Sequence, residues 1–191
     1  MSDVGSHQAS DNQVIYTVGH STRSFDEFTH LLKAHGVVTL ADVRRYPRSR
    51  RLPHFNDTAL AENLPRIGID YAPLPALGGR RKANADSINT GWKNESFRGY
   101  ADYAQTDEFR HALEELIALG SRRSTAFMCA EALPWQCHRS LIADALLARG
   151  WDVRDIFSDT VAKPHQLPKF ARVAGTRVTY PSPDEGLFQD V

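Results

Sequence analysis

The chain has 191 residues, 41% hydrophobic and 24% charged, with 23 basic and 23 acidic side chains and a formal net charge of zero. That suits one soluble globular domain with a sizeable core, and it excludes collagen-like, coiled-coil and wholly disordered chains. No run approaches the roughly 18 apolar residues of a membrane span, MSDVGSHQASDNQ lacks a secretory h-region, and two cysteines make no disulfide scaffold; a cytoplasmic protein with reduced thiols is expected.

Residues 1–13 are polar and aperiodic and read as a disordered leader. VIYTVG (14–19) is β-branched and aromatic, the mark of a buried strand. Ser24 and Glu27 form a capping box that opens a helix with Phe25, Phe28, Leu31 and Leu32 on its apolar face, and Gly36 ends it. VVTLADV (37–43) is a second strand. The stretch RRYPRSRRLPH (44–54) holds five arginines and no acid. A helix over 57–68 follows despite Pro65, then a third strand, IDYAPL (69–74). Residues 75–97 form a long Gly-rich, polar loop, and loops of that length are commonly functional. Two helices fill 98–120, the second capped by Thr106. STAFMCA (124–130) is a fourth strand, Trp135 to Gly150 a helix, and WDVRDIF (151–157) a fifth strand. The tail, 160–191, contains prolines and one further strand at 176–180.

Strands alternate with helices through residues 14–159. That order predicts a single α/β domain: a mostly parallel sheet of about five strands with helices on both faces, Rossmann-like or flavodoxin-like. Ligands of such sheets bind beyond the carboxyl ends of the strands. Those ends carry His20 and Ser21, then Asp42, Arg44 and Arg45, then Gly78 to Arg81, and finally Cys129, Glu131, Cys137, His138 and Arg139. All should meet along one edge.

Each residue type suggests a role there. Glu131 is a general acid/base or a carboxylate nucleophile, with Arg139 its expected partner. Cys137, read as lying at the first turn of a helix beside His138 and Arg139, is a nucleophile or the wall of an anion pocket. His20 and His138 are proton carriers, with Asp42 to orient one of them. Arg44, Arg48, Arg80 and Arg139 are phosphate ligands, with Ser21 beside them. Each has a plainer alternative: a thiol filling core, an Asp–Arg pair, a His bonded to a carbonyl. Cys129, Cys137 and His138 are the runner-up reading, as metal ligands. Against that stand a seven-residue gap between the cysteines that fits no compact zinc knuckle, and the roughly 100° between adjacent side chains on one helix. No cofactor is therefore expected. Trp92, Lys93, Phe97, Arg98, Tyr100 and Tyr103 interleave aromatic and cationic groups, which suits either base stacking or a loop folded over its own core.

The segments YTVGHSTRSFDEF, DVRRYPRSRRLPHFN, LPALGGRRK, GWKNESFRGYADY and MCAEALPWQCHRSLIADAL together resemble the family called domain of unknown function 488. The resemblance runs from about Val14 to Tyr180, and its C-x-E-x5-C-H-R motif stands here as Cys129, Glu131, Cys137, His138 and Arg139. It implies an α/β domain and a suspected enzymatic role without an assigned reaction. Residues and resemblance together lead to a hydrolase or transferase acting on an anionic, phosphate-bearing nucleotide or nucleic-acid substrate. The alternative is a non-catalytic nucleotide or nucleic-acid binding module associated with DNA repair or replication. Expected partners are an anionic small molecule or nucleic acid, no membrane, and a DNA sliding clamp reached through Leu187 and Phe188 near the C-terminus.

Overall fold

Nearly continuous burial along the central strands sets the architecture. The computed structural model describes residues 13–182, so the leader before Gln13 and the Leu187–Phe188 pair lie outside the described residues. Strands β1 (Val14–Gly19), β2 (Thr39–Asp42), β3 (Asp70–Pro73), β4 (Thr125–Cys129) and β5 (Asp152–Ile156) pair in parallel, and β6 (Ala162–Pro164) returns antiparallel along β5. The order across the sheet is β3-β2-β4-β1-β5-β6. Every residue of β4 is buried, as a strand covered on both faces requires. Phe127 and Cys129 project into one core with α4 (Asp107–Arg122) and α5 (Arg139–Leu147), where α3 (Glu95–Tyr103) also packs. Ala126 and Met128 project into the other, with α1 (Phe25–Ala34) and α2 (Asp57–Arg66).

The expected mostly parallel α/β sandwich is what forms. The Ser24–Glu27 capping box and the Thr106 cap are both present. α2 runs through Pro65 in its last turn. Two elements are added and one is corrected. The tail supplies a sixth sheet strand, β6, which three residues are too few to announce by periodicity. The strand expected at 176–180 forms as β8 (Arg177–Thr179), and it pairs with an added strand, β7 (Arg172–Ala174), in a separate hairpin around Gly175 at φ +60°. The helix drawn from Trp135 is a 3₁₀ turn, Pro134–Gln136, followed by α5 from Arg139. Between them Cys137 is extended (φ −136°, ψ 143°) and so lies outside the helix. Among the described residues no helix is long and apolar enough to cross a membrane.

The segment after β5 is held by a buried ionic knot. His165 Nδ1–H donates to Asp155 at 2.8 Å and Nε2–H to Asp144 at 3.0 Å, while the Tyr180 hydroxyl donates to the second Asp144 oxygen at 2.7 Å. The His165 side chain is only 6% exposed. Burial opposes its charge, but the bonds to Asp144 and Asp155 outweigh that and raise its pKa to about 9. Because the folded value lies above the ordinary 6.5, the stabilisation is complete below pH about 6.5 and is lost as pH rises through about 9. Urea unfolding should therefore show a fall in stability on the order of 3 kcal/mol across that window. His165→Gln should flatten this part of the profile; an unchanged slope would refute the ion pair.

Candidate functional site

Strand order decides what the sheet edge can hold. α1 carries the chain from β1 to β2, which lies beyond β4, and α5 carries it from β4 to β5 on the far side of β1. β1 and β2 therefore flank β4, with Gly19 in register with Cys129 and Asp42 with Met128. Connections leave these three strand ends toward different neighbours, which opens a crevice at the rim.

The deepest layer of the rim is closed. Asp42, 1% exposed, accepts from Arg44 at both carboxylate oxygens (Nε to Oδ1 2.8 Å, Nη2 to Oδ2 2.6 Å) and from the Tyr71 hydroxyl at 2.8 Å. Arg44 Nη2 also donates to Phe55 O, and Nη1 reaches His20 Nε2 at 3.3 Å. His20 stacks on Phe55, 4.1 Å between ring centroids, and donates from Nδ1 to Ser21 O. Burial, reinforced by the Arg44 charge, lowers the His20 pKa to about 4. His20 is thus neutral near pH 7 with both nitrogens bonded. Asp42, expected to orient a histidine, is instead the bidentate partner of the arginine two residues on. Tyr71 completes this layer; nothing in its strand context marks it in the sequence.

Arg139 is also relocated. Its side chain is 1% exposed and does not line the crevice. Nη1 donates to the main-chain carbonyl of Glu131 and Nη2 to that of Ala132 at 2.9 Å. The expected bond to the Glu131 carboxylate does not form, because the return loop presents its backbone to α5 and sends that side chain outward. Gly19 makes this possible. A Cβ there would lie 1.7 Å from Glu131 O and 2.9 Å from Arg139 Nη1, so only glycine lets the loop cross the end of β1.

Above this layer lies a cleft of about 350 Å³, lined among others by Arg44, Arg45, Tyr46, Arg80, Glu131 and Gln136, with Cys129, Cys137 and His138 at its floor. His138 Nδ1 stands 3.9 Å from Cys129 Sγ and 3.7 Å from Cys137 Sγ, and Nε2 donates to Val43 O at 3.1 Å. Both cysteines are free and buried. A hydrogen bond from the Cys137 thiol holds Cys129 well below the ordinary thiol range. Burial and the neighbouring Cys129 push Cys137 up. Of the two thiols, Cys129 is therefore the more readily ionised. Gly79 lies over the His138 ring; a Cβ there would sit 2.8 Å from Nδ1 and 3.1 Å from Cγ.

At the mouth, Tyr46 is 63% exposed, with the Arg45 and Arg80 guanidinium carbons 5.6 and 6.0 Å from its ring centroid. Arg80 holds φ at +61°, and Ser21 at the same rim holds +53°; among the described residues these are the only non-glycine positions in that region. Such conformations concentrate at functional sites. The basic run 44–51 leads here, but the residues it brings to the mouth are Arg45 and Tyr46, not the expected phosphate ligands Arg44 and Arg48. Arg48 lies outside the cleft, 3.9 Å from Asp57 and 80% exposed. The aromatic loop does not offer a stacking platform: Tyr100 and Tyr103 are buried, and Trp92 packs on Phe97, Phe170 and Tyr180. Of that group only Phe97 lines the cleft.

Thus Glu131, Cys129, Cys137, His138, Arg44 and Arg80 share one cleft; His20, Ser21, Asp42 and Arg139 support it without lining it; Arg48 stands apart. Among curated proteins and among solved structures, none matches the chain significantly. A family profile matches residues 24–146, which spans α1 through α5 and includes every cleft residue. The chain belongs to the family described as Domain of unknown function DUF488.

Proposed function

We propose that this protein is an enzyme, a hydrolase or transferase, whose substrate carries phosphate and a planar base, as a nucleotide or a nucleic-acid end does. The carrying observation is the mouth of the cleft. Arg45 and Arg80 flank the open face of Tyr46 and, among the described residues, pair with no carboxylate. Two cations without counterions attract an anion, and guanidinium forks match phosphate oxygens. An exposed aromatic face accepts a base. A substrate held by that mouth directs its phosphate inward, toward Glu131 and the thiol–imidazole floor. Glu131, exposed and facing the cleft, serves as the acid/base. The supporting layer of Asp42, Arg44 and His20 fixes the rim, and His20 stays neutral near pH 7.

The test is direct binding of adenosine and guanosine nucleotides, followed by an assay of the bound species for turnover. Arg45→Ala and Arg80→Ala should each weaken binding by about tenfold to a hundredfold, and the double variant Arg45→Ala/Arg80→Ala by more, since a hydrogen bond to a charged group contributes about 1.5–3 kcal/mol. Tyr46→Ala should weaken nucleotides more than inorganic phosphate. Glu131→Gln should retain binding and lose most turnover. Equal affinity in wild type and the double-arginine variant would remove the proposal.

A second reading, binding without turnover, draws on the same basic loop. Arg50 and Arg51 are exposed and, among the described residues, unpaired with any acid. If nucleic acid lies along this loop, log K should fall linearly with log salt. Arg50→Glu/Arg51→Glu should then flatten the slope by roughly 1.4–1.8. A salt-independent interaction, or none, excludes it.

A further inference from the structure

We infer that Cys129, Cys137 and His138 bind a divalent transition metal, zinc by the chemistry of the donors, with one coordination position facing the cleft. This rests on reading the cleft as a reaction centre, and it names what its floor holds.

The donor atoms already stand near coordination geometry. All three lie within 4.8 Å of one another, and the two sulfur-to-nitrogen separations are 3.9 and 3.7 Å. Around a tetrahedral zinc with bonds of roughly 2.3 Å to sulfur and 2.0 Å to nitrogen, ligand atoms are about 3.5–3.8 Å apart. The sulfur–nitrogen separations need to close by only a few tenths of an ångström, and the sulfur–sulfur separation by no more than about 1 Å. The imidazole is set for the task as well. Donation from Nε2 to Val43 O leaves the Nδ1 lone pair directed at the sulfurs, and a backbone carbonyl in that place orients metal-binding histidines generally. Gly79 holds the ring in position from above, close enough that any side chain there would tilt it.

Side chains of Cys137 and His138 would splay apart if both lay on one helix, but they do not. Cys137 is extended and precedes α5, while His138 has φ −55° and ψ −20°, so the peptide between them turns both side chains to the same side. The long gap between the cysteines is equally harmless. One thiol comes from the end of β4 and the other from beyond the return loop, so the ligands converge by tertiary structure rather than within a knuckle. Two thiolates and an imidazole favour zinc over the hard cations magnesium and calcium. Three protein ligands leave a fourth position, and all three residues line the cleft. A water or a substrate oxygen would take that place.

The test uses the full chain, reduced and stripped of metal, titrated with Zn²⁺ and separately with Co²⁺. One equivalent should bind, and cobalt should give both a thiolate charge-transfer band and the strong visible bands of a tetrahedral site. Cys129→Ser, Cys137→Ser and His138→Ala should each weaken binding by about tenfold or more. Should any variant fail to fold, alkylation of the wild-type thiols decides: zinc should protect both cysteines and a chelator should restore their reactivity. Binding without cobalt–sulfur absorption, no stoichiometric binding by the reduced protein, or thiols alkylated equally with and without zinc would each overturn the inference. Its fate is separable from that of the nucleotide reading. Metal bound in the Arg45→Ala/Arg80→Ala variant supports the metal site whatever becomes of nucleotide affinity. Nucleotide turnover persisting in protein that binds no zinc would sink the metal alone.

Discussion

Arg139 carries a guanidinium into the interior and gives it to two main-chain carbonyls, those of Glu131 and Ala132. The loop after β4 is thereby drawn across the end of β1, into space that Gly19 leaves open. A buried cation is costly unless its hydrogens find acceptors, so the side chain and the loop stabilise each other. The placement of Glu131, and of Cys137 and His138 beyond it, follows from that one contact. Without it the wall of the cleft beyond Cys129 would not be held in place.

The rim is built in two layers with opposite character. The inner layer is saturated: Asp42, Arg44, His20 and Tyr71 exchange nearly all their hydrogen bonds among themselves and nearby carbonyls. Groups in that state are rigid and inert. The outer layer is not saturated. Arg45, Arg80, Tyr46 and Glu131 face open space, and the sulfurs below them are close to an imidazole nitrogen. Rigid support beneath unsatisfied groups is the arrangement a recognition site requires, because ordering has been completed before a ligand arrives. The positive φ of Arg80 fits the same division, since strain is kept where it aims a side chain into the cleft.

Legibility followed the range of the interaction. The Ser24–Glu27 box, the Thr106 cap and the apolar face of α1 depend on residues three or four apart, and all were readable. The runs VIYTVG and STAFMCA announced strands covered on both sides. β8 was legible within 176–180, but β6 and β7 were not: three residues carry no usable period, and β6 is defined by its pairing with β5. The same holds at the site. The general rule about strand ends brought Cys129, Glu131, Cys137, His138, Arg44 and Arg80 to one place. It could not say which arginine would turn inward. Arg44 has a carboxylate two residues before it and Arg139 has two carbonyls within reach, whereas Arg45 reaches only the exposed main-chain carbonyl of Arg80, at 3.2 Å, and both Arg45 and Arg80 remain at the mouth.

The sequence by itself determined the α/β alternation, the helix caps and the chemistry concentrated between residues 129 and 139, since these rest on local patterning and residue type. Only the tertiary structure decided which of those groups are spent on the protein and which stay available. That choice depends on distances between segments a hundred residues apart, such as Val43 and His138, and on the backbone bend at Cys137 that no propensity marks. The physical reason is that hydrogen-bond satisfaction is a property of the packed whole, and a polar side chain becomes a candidate for function only after the fold has failed to use it.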